Sequence, residues 1–219
     1  MKIAVIFGGR SSEHQISLAS GASVAEGLRE AGHDVVEVLI APDGRWLCEG
    51  EEIELRPAGG LLGVDVAFPV LHGPFGEDGT VQGTLEILDL AYAGPSVLPA
   101  AVAMDKLVFK RLCAFHGLPQ VDFCEVGEDG WRERVREMGL PLWVKPSRLG
   151  SSVGISRVTD AGAELDEAVE LAQRHDPYVI VEADAGGKEV ECSVMGNESP
   201  ETSLPGEIVT RASEWYDYE

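Results

Sequence analysis

The two common nucleotide fingerprints are missing from this sequence. It holds no GxxxxGK[ST] and no GxGxxG, so neither a P-loop nor a dinucleotide-binding turn is present. Basic residues are scarce: 17 Lys and Arg stand against 38 Asp and Glu, a net charge of −21. That balance disfavours sequence-independent binding to DNA or RNA, which needs clustered cations to neutralise phosphates. It also disfavours docking on an anionic membrane. An anionic substrate then requires a locally positive pocket, which gives weight to each lysine set among glycines. No apolar run is long enough to span a bilayer. The apolar start, Ile3-Ala4-Val5-Ile6-Phe7, meets Gly8, Gly9, Arg10 and Glu13 too early for a signal peptide. The four cysteines, Cys48, Cys113, Cys124 and Cys192, form no CxxC pair and have no histidine at metal-ligand spacing. Free thiols in a reducing cytoplasm fit that pattern.

What is present is an alternation of apolar runs with amphipathic segments, typical of an α/β chain. Residues 2–7 read as a buried parallel strand, 16–31 as a helix and 34–40 as the next strand. That order predicts parallel pairing through a right-handed crossover. Residues 49–63 are polar and carry no readable pattern, 64–71 form another strand, and 80–90 a helix. The stretch 91–100, with Gly94, Pro95 and Pro99, reads as a domain boundary. Beyond it the pattern predicts helices over 104–115, 131–138 and 160–174, and strands over 121–126, 142–144, 178–182 and 188–195. Residues 207–210 are strand-like, and those after 183 are too few for a lobe with its own core.

One stretch organises the rest: Trp143-Val144-Lys145-Pro146-Ser147-Arg148-Leu149-Gly150-Ser151-Ser152-Val153-Gly154. A strand ends in a lysine and runs into a loop with almost no side-chain bulk. Such a loop lets backbone N–H groups approach an anion, with Lys145 as a neighbouring cation. Taken alone, it reads equally as a Gly/Ser hairpin turn. Glu13 and His72 each follow a buried strand and lie at the carboxyl edge expected of the first sheet, where α/β sheets bind ligands. Asp78 reads as a helix N-cap before Thr80. Lys106, Glu182 and Glu189, each taken singly, read as solvated surface residues.

Four segments occur in order: Gly8-Gly9-Arg10-Ser11-Ser12-Glu13-His14-Gln15-Ile16-Ser17, Leu71-His72-Gly73-Pro74-Phe75-Gly76-Glu77-Asp78-Gly79, Met104-Asp105-Lys106, and the Lys145 to Gly154 stretch. Together they resemble the D-alanine–D-alanine ligases of peptidoglycan synthesis, in the ATP-grasp superfamily, over the whole chain. The resemblance implies an N-terminal Rossmann-like (pre-ATP-grasp) domain with a parallel sheet over 1–97, a central α+β ATP-grasp lobe over 98–182, and an incomplete C-terminal lobe over 183–219. Members of that family run on past this length, and their metal ligands lie in the part beyond. The resemblance therefore implies a C-terminally truncated, inactive fragment.

It also implies roles. Glu13 would hold the ammonium of the first D-alanine, His72 would lie near that substrate's carboxylate, and Ser151 would hydrogen-bond Glu13. Lys106 and Lys145 would reach the ATP phosphates, with Gly150, Ser151, Ser152, Val153 and Gly154 closing over them. Glu182 would contact adenine and Glu189 ribose. The implied reaction forms D-alanyl phosphate from ATP and D-alanine with Mg²⁺ (or Mn²⁺), and a second D-alanine then displaces phosphate. The implied setting is cytoplasmic, without nucleic acid or membrane, with a homodimer as the assembly. Ligation to D-lactate or D-serine, and a non-catalytic binding module, are the alternatives. Tyr216 and Tyr218 fall where the family's mobile loop would begin.

Overall fold

The apolar run at the N-terminus becomes β1 (Lys2–Gly8), an inner strand whose middle is sealed from solvent on both faces. Helix α1 (His14–Glu30) returns the chain, and β2 (Asp34–Ile40) pairs with β1 in parallel, as the order of elements predicts. Gly21 lets α1 lie close on β1, since a Cβ there would meet the Phe7 Cβ at 2.5 Å. The strands β3 (Trp46–Cys48) and β4 (Glu51–Glu52) then add an antiparallel edge. On the other side of β1 lies β5 (Val66–Pro69), followed by α2 (Thr80–Ile87) and β6 (Ala91–Tyr92). The resulting sheet has the order β4-β3-β2-β1-β5-β6. Its core joins Ala4, Ile6, Val38, Ile40 and Ala67 to Val81, Leu85 and Leu88 of the α2 region. Helices α3 (Val97–Met104) and α4 (Lys106–Phe115) follow.

The structure describes residues 1–209 of a computed structural model. The chain falls into two units, Met1–Pro119 with Ser147–Gly150, and Gln120–Pro146 with Ser151–Glu219. The expected boundary at 97/98 coincides with the start of α3 inside the first unit.

The second unit is built on an antiparallel sheet of β7 (Phe123–Glu125), β8 (Leu142–Pro146), β9 (Ser156–Val158) and β10 (Val179–Ala183), in the order β7-β10-β8-β9. Two helices, α5 (Trp131–Met138) and α6 (Ala163–Gln173), contribute to its core. Alternation along the strands sorts the side chains. Leu142, Val144, Val158, Val179 and Val181 join Val135, Leu165, Val169 and Ala172 in that core. The residues between them, Trp143, Lys145, Arg157 and Glu182, are thereby turned to the other face. Short strands β11 (Val190–Glu191), β12 (Val194–Met195), β13 (Glu201–Thr202) and β14 (Gly206–Glu207) pair as β11 with β14 and β12 with β13.

The stretch 91–100, read as a domain boundary, holds β6 and the start of α3, with Pro99 in the helix's first turn, where the missing N–H is not needed. Four expectations need correction. The helix expected over 104–115 starts at Lys106 as α4, because Asp105, with an extended ψ of 102, caps it and leaves Met104 as the last residue of α3. Residues 49–63 are not wholly irregular, since β4 lies within them. The strand expected over 188–195 is two short ones, β11 and β12. Asp78 precedes the N-cap, which is Gly79, although its Oδ1 does accept the Thr80 N–H at 3.0 Å. Tyr216, Tyr218 and the last residue of the 207–210 segment lie outside the described residues.

Candidate functional site

In the first unit two loops meet at the carboxyl ends of β1 and β5. The Ser11 hydroxyl stitches them together: it donates to the His72 carbonyl at 2.7 Å and accepts the Glu13 N–H at 3.2 Å. Ser17, fully buried in α1, makes a second stitch, accepting the Gly8 N–H at 2.8 Å and donating to the Val70 carbonyl. Glu13 is only 8% exposed, an unusual position for a carboxylate. Its Oε2 lies against Gly73, where a Cβ would fall 2.4 Å away. Gly73 holds φ at +69, and its N–H donates to Glu77 Oε2 at 2.7 Å. The His72 ring reaches α1, with Nε2 3.4 Å from the Ser20 hydroxyl. His72 also lines a cavity of about 280 Å³ with Arg10, Asp43, Trp46, Leu71 and Phe75. The structure thus brings Glu13 and the His72 segment together.

Lys106 is the first residue of α4. Its ammonium donates to the Leu149 carbonyl and lies 3.4 Å from that of Ser147. Gly150 ends this part of the first unit.

In the second unit the sheet face away from the core carries a row of polar groups. The Lys145 ammonium is 2.7 Å from Glu182 Oε2, with the two side chains 25% and 9% exposed. The same ammonium lies 5.8 Å from the centre of the Trp143 ring. Trp143 Nε1 donates to Asp184 Oδ2 at 3.0 Å, and the Arg157 guanidinium is 3.9 Å from that oxygen. Trp143, Lys145, Arg157 and Asp184 line a cleft of about 750 Å³ together with Lys188, Glu189 and Glu207. That volume is in the range of small-molecule and cofactor sites. Lys145 and Glu189 therefore share one cleft, and Glu182 is tied to it through Lys145.

The glycine–serine loop continues from here. Ser151 and Ser152 hold φ at 49 and 58, and Val153 is half-buried. Two successive non-glycine residues in the left-handed region store strain of the kind found at ligand clamps. Gly154 has φ of +70, and a Cβ there would lie 2.7 Å from His175 Cδ2 and 3.0 Å from Pro146 Cγ. Glu13, His72, Lys106 and Gly150 belong to the first unit, and the other expected site residues to the second.

Sequence reasoning assigned no role to Ser11, Ser17, Trp143, Arg157, Asp184 or Lys188. For Trp143 a signal was available, since period-two alternation puts it on the same face as Lys145. Arg157 faces Trp143 only through the β8–β9 register, which no local pattern encodes. Among the described residues, no group of three or more His, Cys, Asp and Glu side chains is placed to hold a metal ion.

Two family models match the chain: D-ala D-ala ligase N-terminus over residues 2–60 and 51–95, and D-ala D-ala ligase C-terminus over 112–219. A D-alanine–D-alanine ligase of Solibacter usitatus is 45% identical over 221 residues, covering 100% of this chain and 66% of the relative. The chain thus spans about two thirds of that relative's length. The structure of the D-alanine–D-alanine ligase from Coxiella burnetii superposes with a TM-score of 0.87 at 33% identity, over 95% of this chain and 71% of the other. The VanG D-Ala:D-Ser ligase from Enterococcus faecalis gives 0.85 at 33% identity, over 100% and 72%. With both family models matched in sequence order and the fold shared, the chain belongs to the D-alanine–D-alanine ligase family.

Proposed function

We propose that the protein of which these residues form part is an ATP-dependent ligase. It joins two D-alanine molecules into D-alanyl-D-alanine for peptidoglycan synthesis, in the cytoplasm. The observation that carries this reading is the row of Lys145, Glu182 and Trp143 at a nucleotide-sized cleft on the sheet face turned away from the core, in a chain of this family.

The roles follow from charge and chemistry. Glu182 and Glu189 supply acceptors for the adenine amino group and the ribose hydroxyls. Lys145 and Lys106 neutralise phosphate oxygens, and backbone N–H groups of the loop from Gly150 through Ser151, Ser152 and Val153 to Gly154 cover them. Phosphoryl transfer is largely positioning plus charge neutralisation, so lysine side chains and a dry glycine–serine loop suit it. The Glu13 carboxylate takes the ammonium of the first D-alanine, and His72 lies by that molecule's carboxylate. The D-alanine carboxylate attacks the γ-phosphorus, ADP leaves, and the amine of a second D-alanine displaces phosphate from the acyl phosphate. Water must be kept out while the acyl phosphate exists.

Mg²⁺ or Mn²⁺ belongs with the ATP in this reading. The described residues offer no cluster that fits it, so no step here is assigned to the metal. A homodimer is the proposed assembly.

The test is ADP release coupled to product analysis, with D-alanine, D-serine and D-lactate each offered as acceptor. D-Alanyl-D-alanine as the main product supports the reading. The likeness to the D-Ala:D-Ser ligase VanG, at the same identity as to the Coxiella enzyme, favours D-serine as the second acceptor to examine. ATP turnover independent of D-alanine would overturn both.

A further inference from the structure

Asp105 separates α3 from α4 and caps α4. Its Oδ1 accepts the N–H groups of Leu107 at 3.1 Å and Val108 at 3.2 Å. An N-cap needs no more than that. Yet the same oxygen also accepts the Ser147 hydroxyl at 2.7 Å, from 42 residues away. Ser147 is 0% exposed, and its hydroxyl is used twice, because it also accepts the Leu107 N–H at 3.1 Å. The main chain of the same segment is fixed as well. The Ser147 carbonyl accepts the Lys106 N–H at 3.0 Å, and the Lys106 ammonium donates to the Leu149 carbonyl. All of these contacts lie within the first unit.

Neither residue suits direct contact with ATP. Asp105 is anionic and would repel a triphosphate, and Ser147 is sealed from solvent. Both nevertheless hold the segment that leads along the chain into Ser151, and both hold the helix turn that carries Lys106.

We infer that Asp105 and Ser147 are positioning residues, whose hydrogen bond clamps residues 147–149 to the first turn of α4 and so holds Lys106 at the root of the glycine–serine loop before nucleotide arrives. The carbonyls of Ser147 and Leu149 keep the ammonium oriented in the absence of an anion. Phosphate oxygens form stronger, charge-assisted hydrogen bonds and take the ammonium over when ATP enters. Holding both partners in advance lowers the ordering cost of binding. This inference rests on the nucleotide reading above.

The test compares Asp105→Ala, Asp105→Asn and Ser147→Ala with the wild-type protein. ATP affinity is measured by calorimetry, and amide hydrogen exchange over residues 147–154 is measured without ligand. Asp105→Ala and Ser147→Ala are expected to weaken ATP binding by about five- to tenfold, the effect of one or two hydrogen bonds. Both should also speed exchange over residues 147–154. Asp105→Asn keeps the acceptor oxygen and is expected to restore most of both. Folded alanine variants with wild-type ATP affinity and wild-type exchange would overturn the inference, as would an Asp105→Asn variant as impaired as Asp105→Ala. If Ser147→Ala does not fold, the two Asp105 variants decide, since Asp105 is only half-buried. If the wild-type protein binds no ATP, the nucleotide reading falls, while the exchange comparison still decides whether the clamp exists.

Discussion

The Lys145 ammonium and the Glu182 carboxylate form an ion pair 2.7 Å long across the antiparallel strands β8 and β10. The carboxylate is the more buried partner, so removing the cation costs more than a surface pair would. Lys145→Ala is expected to lower stability by about 1–3 kcal/mol and to weaken ATP binding at least about tenfold. Pairing it with Glu182→Gln should recover part of the stability and none of the affinity. Thermal melts and ATP titrations of the two single variants and the double variant check this. Wild-type ATP affinity in Lys145→Ala would contradict the role of the lysine.

Gly73 is held against Glu13 by the absence of a side chain. An added Cβ would sit 2.4 Å from Glu13 Oε2, at a φ of +69 that alanine resists. Gly73→Ala is expected to displace the carboxylate and raise the KM for D-alanine about tenfold or more, with a smaller change in the KM for ATP. The backbone strain should lower stability by about 1–3 kcal/mol. Steady-state kinetics with each substrate varied in turn make the check.

Burial pushes the Cys124 thiol up to about 11. Its neutral form is favoured in the folded state. The stability it contributes is therefore complete below the ordinary thiol value of 9.0, and it is lost as pH rises from there through about 11. Alkylation near neutral pH is expected to modify exposed Cys192 first and Cys124 only on unfolding. Mass spectrometry of partly alkylated protein reads the order directly.

Glu164 sits in the first turn of α6 and reaches back along the chain. Its carboxylate accepts the Thr159 N–H at 2.9 Å, the Thr159 hydroxyl at 3.1 Å and the Asp160 N–H at 2.7 Å. Those bonds, the Thr159 N–H first, hold its carboxyl below the usual value of 4.5. Its contribution to stability is present above that value and is lost as pH falls through the lowered one. Glu164→Gln is expected to lower the Tm at neutral pH and to flatten the acid limb of the Tm profile below the usual carboxyl value of 4.5.

The order of strands and helices was legible because buried strands and amphipathic helices repeat at different periods. Helix α3 was hidden by Gly94, Pro95 and Pro99, which read as a domain boundary although Pro99 is tolerated in a first turn. The break before Lys106 carries a local signal, since Asp105 is a favoured N-cap residue. Glu13 and His72 could be placed at a sheet edge from their neighbours alone, yet the Ser11 bridge between their loops depends on two strands lying side by side. The Lys145–Glu182 pair depends in the same way on the β8–β10 register. Local sequence names the groups that can react, and long-range pairing decides which of them meet.

The central claim is that ATP binds the cleft that carries Trp143, Lys145 and Glu189. Photolabelling with 8-azido-ATP, followed by peptide mapping with and without excess ATP, tests it most directly. The account predicts label on peptides containing Trp143 and Lys145 or spanning Glu182 to Glu189, and its loss when ATP competes. Label confined to other peptides, or label that ATP does not displace, would contradict it.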